Sequence, residues 1–174
     1  MMRKCEQNGN SGSAPMPRLY TEFASYWRLM SKPEQYKEEA GYWCEALRSH
    51  LGPGRHWILE LGVGGGHNMS HMTNDFDFTA VDISPAMIEQ AKKLNPGVEF
   101  HVGDMRTVRL EQTFDGVLVH DAISHMLTEE DLRDVLATAR VHLRNGGIFI
   151  TAPDWFLETF REPQIECQTN TDGE

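Results

Sequence analysis

The sequence predicts an α/β fold with a doubly wound parallel sheet, and two observations support this prediction. First, short apolar runs alternate with helical patterns; the runs cover residues 57–61, 78–81, 98–102, 116–119 and 148–152. Second, these runs are almost continuously apolar, which is typical of strands that are buried on both faces. Such an alternation gives a parallel sheet with right-handed crossovers, and ligands bind beyond the carboxyl ends of its strands.

Two helices are predicted ahead of the first strand. Residues 19–29 carry four aromatic side chains and predict a short helix that covers a pocket, although plain core packing explains the same rings. A longer helix is predicted from Pro33 to the stop at Gly52-Pro53-Gly54, because apolar residues recur there at helical spacing. That stripe consists of Tyr36, Ala40, Trp43 and Leu47.

Two further helices are predicted between the later strands. Ser84 is the expected N-cap of the first, with Pro85 in its first turn. The second starts at Thr128 with three acidic residues and ends at Asn145-Gly146-Gly147. Their predicted buried stripes are Met87, Ile88, Ala91 and Leu94 in the first, and Leu132, Val135, Leu136, Ala139 and Leu143 in the second.

Composition limits the function classes. The chain has 16 Lys and Arg against 26 Asp and Glu, a formal net charge of −10, and offers no basic stripe for nucleic acid. Its apolar runs are strand-sized, so no membrane span is expected. Residues 1–13 lack the apolar centre of a secretory signal, and we expect a cytoplasmic protein.

The chain divides into one domain and two tails. Residues 1–17 are predicted to be disordered, residues 18–160 form the domain, and residues 161–174 form a flexible acidic tail. The three cysteines are scattered without CxxC spacing, which argues against disulfides and thiolate metal sites. His67 and His71 are spaced i, i+4 but lack a third ligand, so no metal is predicted.

A glycine-rich loop follows the first strand. The segment runs from Glu60 to His67 and reads ELGVGGGH. Its glycines let the backbone approach a ligand closely and present N–H groups where the next helix begins. A dinucleotide fingerprint, G-x-G-x-x-G, needs glycine at position 67, whereas acidic-x-G-x-G-x-G fits Glu60, Gly62, Gly64 and Gly66. The spacing therefore disfavours a nicotinamide-dependent oxidoreductase.

Acidic residues stand at the ends of the next strands. Asp82 ends the second strand, where a carboxylate can accept from both ribose hydroxyls of a nucleoside. Asp104 and Met105 follow the third strand, where an acceptor and a soft apolar surface suit an adenine ring. His120 and Asp121 follow the fourth. Together these residues predict a nucleoside-bearing ligand at the carboxyl edge of the sheet.

Five motifs in order resemble class I S-adenosylmethionine-dependent methyltransferases. They are Glu60 to Gly66, Asp82-Ile83-Ser84-Pro85-Ala86-Met87, Gly103-Asp104-Met105-Arg106, Phe114-Asp115-Gly116-Val117 and Leu143-Arg144-Asn145-Gly146-Gly147. The resemblance implies a Rossmann-like sheet of about five parallel strands in the order 3-2-1-4-5, without the last two strands of that fold. Residues 35–40, the GDMR segment and residues 153–160 are similar to nucleotide-linked amino-sugar N-methyltransferases.

The resemblance implies roles at the methionine half of the cofactor, S-adenosyl-L-methionine. Glu60 and Gly62 would shape the methionine end, with Gly64 in the loop beneath it. His120 would stand near the sulfonium, and Tyr20 resembles a lid tyrosine that closes over the methionine portion.

The same resemblance implies roles at the adenosine half. Asp82 would hold the ribose, and Ile83 and Met87 would line the adenine. Asp104 and Met105 would meet the adenine from the third strand. Gly65 stands where a side chain that contacts the cofactor is common in the family.

These expectations define a function and its alternatives. The implied reaction is methyl transfer to a small-molecule acceptor with a nitrogen or oxygen nucleophile, and His120, Asp121 or His125 would take its proton. One alternative is a non-catalytic or truncated cofactor-binding domain that dimerises through the exposed edge of the last strand. The other is the NAD-dependent oxidoreductase.

Overall fold

The structure, a computed structural model, describes residues 16–154 and contains one five-stranded sheet with helices on both faces. The strands are β1 (Trp57–Leu61), β2 (Asp77–Asp82), β3 (Glu99–Val102), β4 (Phe114–Val119) and β5 (Leu143–Thr151). The helices are α1 (Trp27–Met30), α2 (Lys37–Leu51), α3 (His67–Ser70), α4 (Pro85–Leu94) and α5 (Glu129–His142). The order β3-β2-β1-β4-β5 and the parallel pairing confirm the predicted fold class.

The register brings the strand ends together at one edge. Glu60 of β1 pairs with Ala80 of β2 and with Leu118 of β4. Asp82 pairs with Val102 at the end of β3. The order of strands reverses direction at β1, so the segments that leave β1 and β4 border a crevice at this carboxyl edge.

Two apolar clusters hold the helices to the sheet. One joins α2, α3 and α4 to the first face through Trp43, Leu47, Met69 and Ile88, among others. The other joins α5 and the segments after β3 and β4 to the second face, with Val135 and Ala139 from the helix. The short connections out of β1, β2 and β4 are therefore anchored on both sides.

Local signals correctly placed the starts of α4 and α5 and the end of α2. Ser84 Oγ accepts a hydrogen bond from the Met87 N–H at 3.1 Å and caps α4. Thr128 Oγ1 accepts from the Asp131 N–H at 3.0 Å and caps α5. α2 ends at Gly52, whose φ of 79° lies in the left-handed region that favours glycine.

Two elements differ from their predictions near the chain ends. The predicted helix over residues 19–29 is divided into 3-10 turns at Arg18–Tyr20 and Ala24–Tyr26, followed by the short α1. The last strand starts at Leu143, five residues before Ile148, because α5 ends at His142 and Leu143 already pairs with Phe114. The pairing with β4 shifts register between Phe114 and Gly116. The glycines that were predicted to end the helix, Gly146 and Gly147, lie in this irregular part of β5.

The prediction of which α5 residues are buried was also partly wrong. Val135 and Ala139 are buried as predicted, but Leu132 and Leu136 are 39% and 43% exposed. Thr138 and His142 are buried in their place, and hydrogen bonds inside the structure satisfy their polar atoms. A hydrophobicity stripe does not anticipate such polar contacts.

Most of the two predicted tails lies outside the described residues. Within residues 16–154, no helix is long and apolar enough to cross a membrane.

Candidate functional site

The glycine-rich loop bends sharply between β1 and α3. The N–H groups of Gly62 and Val63 both donate to the Val81 carbonyl, which ties the loop to the end of β2. Gly62 has a φ of 78°, and a Cβ atom there would lie 2.4 Å from the Ala122 Cβ. Only glycine fits this bend, because the conformation and the space both exclude a side chain.

Asp82 closes the far side of the loop. Its Oδ2 accepts from the Gly64 N–H and its Oδ1 from the Ser84 N–H, each at 2.8 Å. Burial raises the pKa of Asp82, and these two backbone hydrogen bonds act against the rise. Each carboxylate oxygen has a further lone pair, so Asp82 can still accept from a ligand.

Glu60 is a buried acid beneath the same loop. Its side chain is 2% exposed, and Oε2 has no hydrogen-bond partner among the described residues. Burial raises the pKa of Glu60 to about 8, while the neighbouring charge of His120 lowers it. Glu60 is therefore mostly protonated at neutral pH and retains an unused acceptor.

His120 lies between two carboxylates at the end of β4. Its Nε2 is 2.5 Å from Glu39 Oε1, and its Nδ1 is 3.0 Å from Asp121 Oδ1. Burial lowers the pKa of His120, but the hydrogen bonds to Asp121 and Glu39 outweigh burial and raise it to about 9. The imidazolium has no free lone pair at neutral pH, which argues against the predicted role of His120 as proton acceptor.

The hydrogen bond to His120 also lowers the pKa of Asp121. Asp121, the other predicted catalytic residue, therefore stays ionised as one half of an ion pair.

The aromatic segment of residues 18–30 covers the loop. The Trp27 ring is so close to Gly65 that a Cβ there would lie 2.6 Å from Trp27 Cδ1. Ser84 Oγ donates to the Tyr20 carbonyl, which joins the segment to α4. Tyr20 Oη lies 3.4 Å from His125 Nε2, and burial, with Asp121, Asp82 and Asp154 nearby, raises the pKa of Tyr20.

The carboxylate that follows β3, Asp104, forms an ion pair with Arg106. Arg106 binds both carboxylate oxygens of Asp104 and also donates to Asp131 of α5 at 2.5 Å. The hydrogen bonds from Arg106 lower the pKa of Asp104. An adenine amine would therefore share Asp104 with Arg106. Met105 beside it packs against the second apolar cluster.

The two apolar residues predicted to line the adenine differ in exposure. Ile83 is 51% exposed at the edge of the sheet, whereas Met87 is fully buried under the glycine loop. A Cβ at Gly64 would lie 3.8 Å from Met87 Cε. Ile83 thus presents a free apolar surface, and Met87 supports the loop from below.

Metal-ligand clusters of three or more His, Cys, Asp or Glu side chains are absent from residues 16–154. The expectation that the protein uses no metal stays a prediction.

Glu39 and Asn68 were not among the predicted site residues. Asn68 Nδ2 lies 3.3 Å from Glu39 Oε2 and 3.1 Å from His120 Nε2. Glu39 and His120 are 81 positions apart in the sequence, and the spacing of residues along the chain cannot predict a contact over that distance. The local signals for Glu39 were its place within residues 35–40, a segment similar to amino-sugar N-methyltransferases, and its position next to the buried Ala40 of α2.

Comparison with known proteins places the chain in a family. Residues 58–147 match the family described as "Methyltransferase domain". A relative from Streptomyces venezuelae, dTDP-3-amino-3,4,6-trideoxy-alpha-D-glucopyranose N,N-dimethyltransferase, is 31% identical over 140 residues, which cover 79% of this chain. The match covers 59% of the relative, so this chain aligns with little more than half of that protein.

Solved structures agree with this placement. The crystal structure of DesVI from Streptomyces venezuelae superimposes with a TM-score of 0.70 at 29% identity, covering 80% of this chain and 58% of that one. CalS10 from Micromonospora echinaspora, an amino pentose methyltransferase solved with S-adenosylmethionine bound, gives a TM-score of 0.69 at 29% identity, with coverages of 81% and 59%. The matched family and the strand order together show that the chain belongs to the class I S-adenosylmethionine-dependent methyltransferases.

Proposed function

We propose that the chain binds S-adenosylmethionine beneath the aromatic segment and transfers its methyl group to the amine of a small-molecule acceptor. The observation that carries the proposal is the meeting of Glu60, Asp82 and the glycine-rich loop at one crevice. Family membership makes the NAD-dependent alternative the weaker interpretation.

The residues at the crevice fit this cofactor. Asp82 keeps lone pairs for ribose hydroxyls, and the exposed Ile83 offers an apolar surface beside it. Glu60 Oε2 is a buried acceptor without a donor, as an ammonium group requires. When bound, the cofactor supplies an electrophilic methyl group on a sulfonium.

The surrounding charges support a nitrogen nucleophile over an oxygen one. Tyr20 Oη lies in the field of Asp82, Asp121 and Asp154, which attracts an amine-bearing acceptor. Three relatives in the comparison are named as N,N-dimethyltransferases of dTDP-linked amino sugars. We therefore assign a nucleotide-linked amino sugar as the acceptor class.

The chain's own task is alignment and proton removal. The aromatic segment excludes water from the crevice, since Trp27 lies on the glycine loop and Tyr20 is joined to Ser84. His120 is held as a cation, so the Tyr20 hydroxyl takes the proton of the acceptor amine and passes its own proton to His125 Nε2.

Cofactor binding tests the first half of the proposal. S-adenosylmethionine and S-adenosylhomocysteine should raise the melting temperature, and NAD should not. Asp82→Asn should weaken binding at least about tenfold, because a charged acceptor of the ribose hydroxyls is lost. Asp77→Asn, at the opposite end of β2 where Asp77 pairs with Arg55, is the matched control and should bind normally.

Methyl transfer tests the second half. With labelled cofactor and a panel of dTDP-linked amino sugars, label should appear in the sugar product, and the corresponding hydroxy sugars should stay unlabelled. Tight cofactor binding without any labelled product would favour the non-catalytic alternative.

A further inference from the structure

Side chains from three separate elements meet beside the glycine-rich loop. Glu39 comes from α2, Asn68 from α3 and His120 from the end of β4. Glu39 uses both of its carboxylate oxygens, with Oε1 on His120 and Oε2 on Asn68. Glu39 lies outside residues 58–147, the residues that match the family described as "Methyltransferase domain".

The two carboxylates around His120 determine where the protons lie. Asp121 faces Nδ1 and Glu39 faces Nε2, so both ring nitrogens carry a proton and donate. Asn68 lies against the same Glu39 carboxylate and can bind it only through its NH2 group. Asn68 Nδ2 and His120 Nε2, which are 3.1 Å apart, are then both donors, and both donate to the Glu39 carboxylate.

In this arrangement no donor among the described residues reaches the amide oxygen of Asn68. Asn68 is 7% exposed, and its Oδ1 is buried without a hydrogen-bond partner in residues 16–154. Glu60 Oε2 is in the same condition, and Glu60 pairs in the sheet with Leu118, which lies two positions before His120. Buried acceptors are rarely left unpaired, so two of them around His120 mark a place for a donor with several N–H groups.

We propose that Glu39, held in place by its ion pair with His120, is a positioning residue that fixes the Asn68 amide so that Asn68 Oδ1 and Glu60 Oε2 together receive an ammonium group. The inference rests on the proposed function, in which this ammonium is the α-amino group of the cofactor. Asn68 and Glu60 touch the ligand, whereas Glu39 only sets the orientation of the amide.

Two ligands separate positioning from a general structural role. S-adenosylhomocysteine carries the α-amino group, and its desamino analogue lacks only that group. Glu39→Gln should weaken binding of S-adenosylhomocysteine about tenfold, because glutamine can donate and so permits the flipped Asn68 amide. Binding of the desamino analogue should not change. Isothermal titration of both ligands measures this difference.

Two further variants complete the experiment. Glu38→Gln is the matched control on the same helix, since Glu38 is exposed and bonds Tyr42; it should bind both ligands like the original chain. In an Asn68→Ala background, Glu39→Gln should have no further effect on S-adenosylhomocysteine, because the oriented group is gone.

Each of the other possible results contradicts either the role of Glu39 or the proposed function. Equal losses for both ligands in Glu39→Gln would show a structural role only, and unchanged binding of S-adenosylhomocysteine would remove the role altogether. Additive effects of Glu39→Gln and Asn68→Ala would also contradict the inference. If the original chain binds neither S-adenosylmethionine nor S-adenosylhomocysteine, the proposed function itself is wrong.

Discussion

Glu60 shows how the carboxyl edge of the sheet can hold a carboxyl group in its neutral form. The side chain is enclosed between β2 and β4, and the charges around it are His120, Asp121 and Asp82. Ionising Glu60 in the absence of a ligand would place an anion beside two other carboxylates in a buried environment. An ammonium ligand removes this penalty, so a buried neutral acid and a cationic ligand suit each other.

Glu60 should make the stability of the protein fall as pH rises. Its folded-state pKa is about 8 against an ordinary value of 4.5, so between these values the unfolded chain has lost the proton that the folded chain keeps. Stability is highest below pH 4.5 on this account and is lost as pH approaches 8. The slope from one such group is at most about 1.4 kcal/mol per pH unit.

Glu60→Gln isolates this contribution, because glutamine does not titrate. Urea unfolding of the ligand-free protein between about pH 5 and pH 8 should show the variant gaining stability relative to the original chain as pH rises. Titration of groups far from Glu60 is common to both proteins and cancels in the difference, so the difference reports Glu60 together with its neighbours His120, Asp121 and Asp82. Parallel stability profiles would mean that Glu60 is ionised in the folded state.

At the scale of elements, the aromatic segment and the glycine loop are fitted to each other. Trp27 occupies the space that any side chain at position 65 would need, and Tyr20 is tied to the N-cap of α4. The segment itself contains only 3-10 turns and a single turn of α-helix. Its position over the crevice therefore depends on these contacts more than on its own helical hydrogen bonds.

Gly65→Ala should release the aromatic segment while leaving the sheet intact. The φ of Gly65 is not in the left-handed region, so the backbone accepts alanine, but the new Cβ would lie 2.6 Å from Trp27 Cδ1. Hydrogen exchange of residues 18–30 should become at least about threefold faster, and exchange in β1 and β4 should not change.

Gly97→Ala is the control for this change, because a Cβ at Gly97 meets nothing within 4 Å. If exchange of the segment in Gly65→Ala is the same as in this control, Trp27 is not what holds the segment on the loop.

The features of these elements that depend on neighbouring residues could be predicted from the sequence. The bounds of β1 and the caps at Ser84 and Thr128 depend on neighbouring residues, and the sequence contains that information. The exposure of Leu132 depends on which face of α5 meets the sheet, and the buried face includes His142, whose Nε2 accepts a hydrogen bond from the Leu110 N–H. For the site, the strand ends were predictable from topology, whereas partners distant in sequence were not.

At the scale of the whole molecule, negative charge is concentrated where the ligand is expected. The net charge is −10, and carboxylates from five elements or their following segments stand at the carboxyl edge of the sheet; they are Glu39, Asp82, Asp104, Asp121 and Asp154. The cations described among them are paired, with His120 on Glu39 and Asp121, and Arg106 on Asp104 and Asp131. The field at the crevice therefore favours a cationic ligand.

This field should let the protein distinguish cofactor from product by charge alone. S-adenosylmethionine carries one positive charge more than S-adenosylhomocysteine, at the sulfonium. Raising NaCl from about 20 mM to about 500 mM screens the partly exposed carboxylates and should weaken S-adenosylmethionine binding about threefold or more, with a smaller effect on S-adenosylhomocysteine. Titration calorimetry of both ligands at each salt concentration measures the ratio. Identical salt dependence would show that the carboxylates are neutralised within the folded protein, and product would then have to leave for another reason.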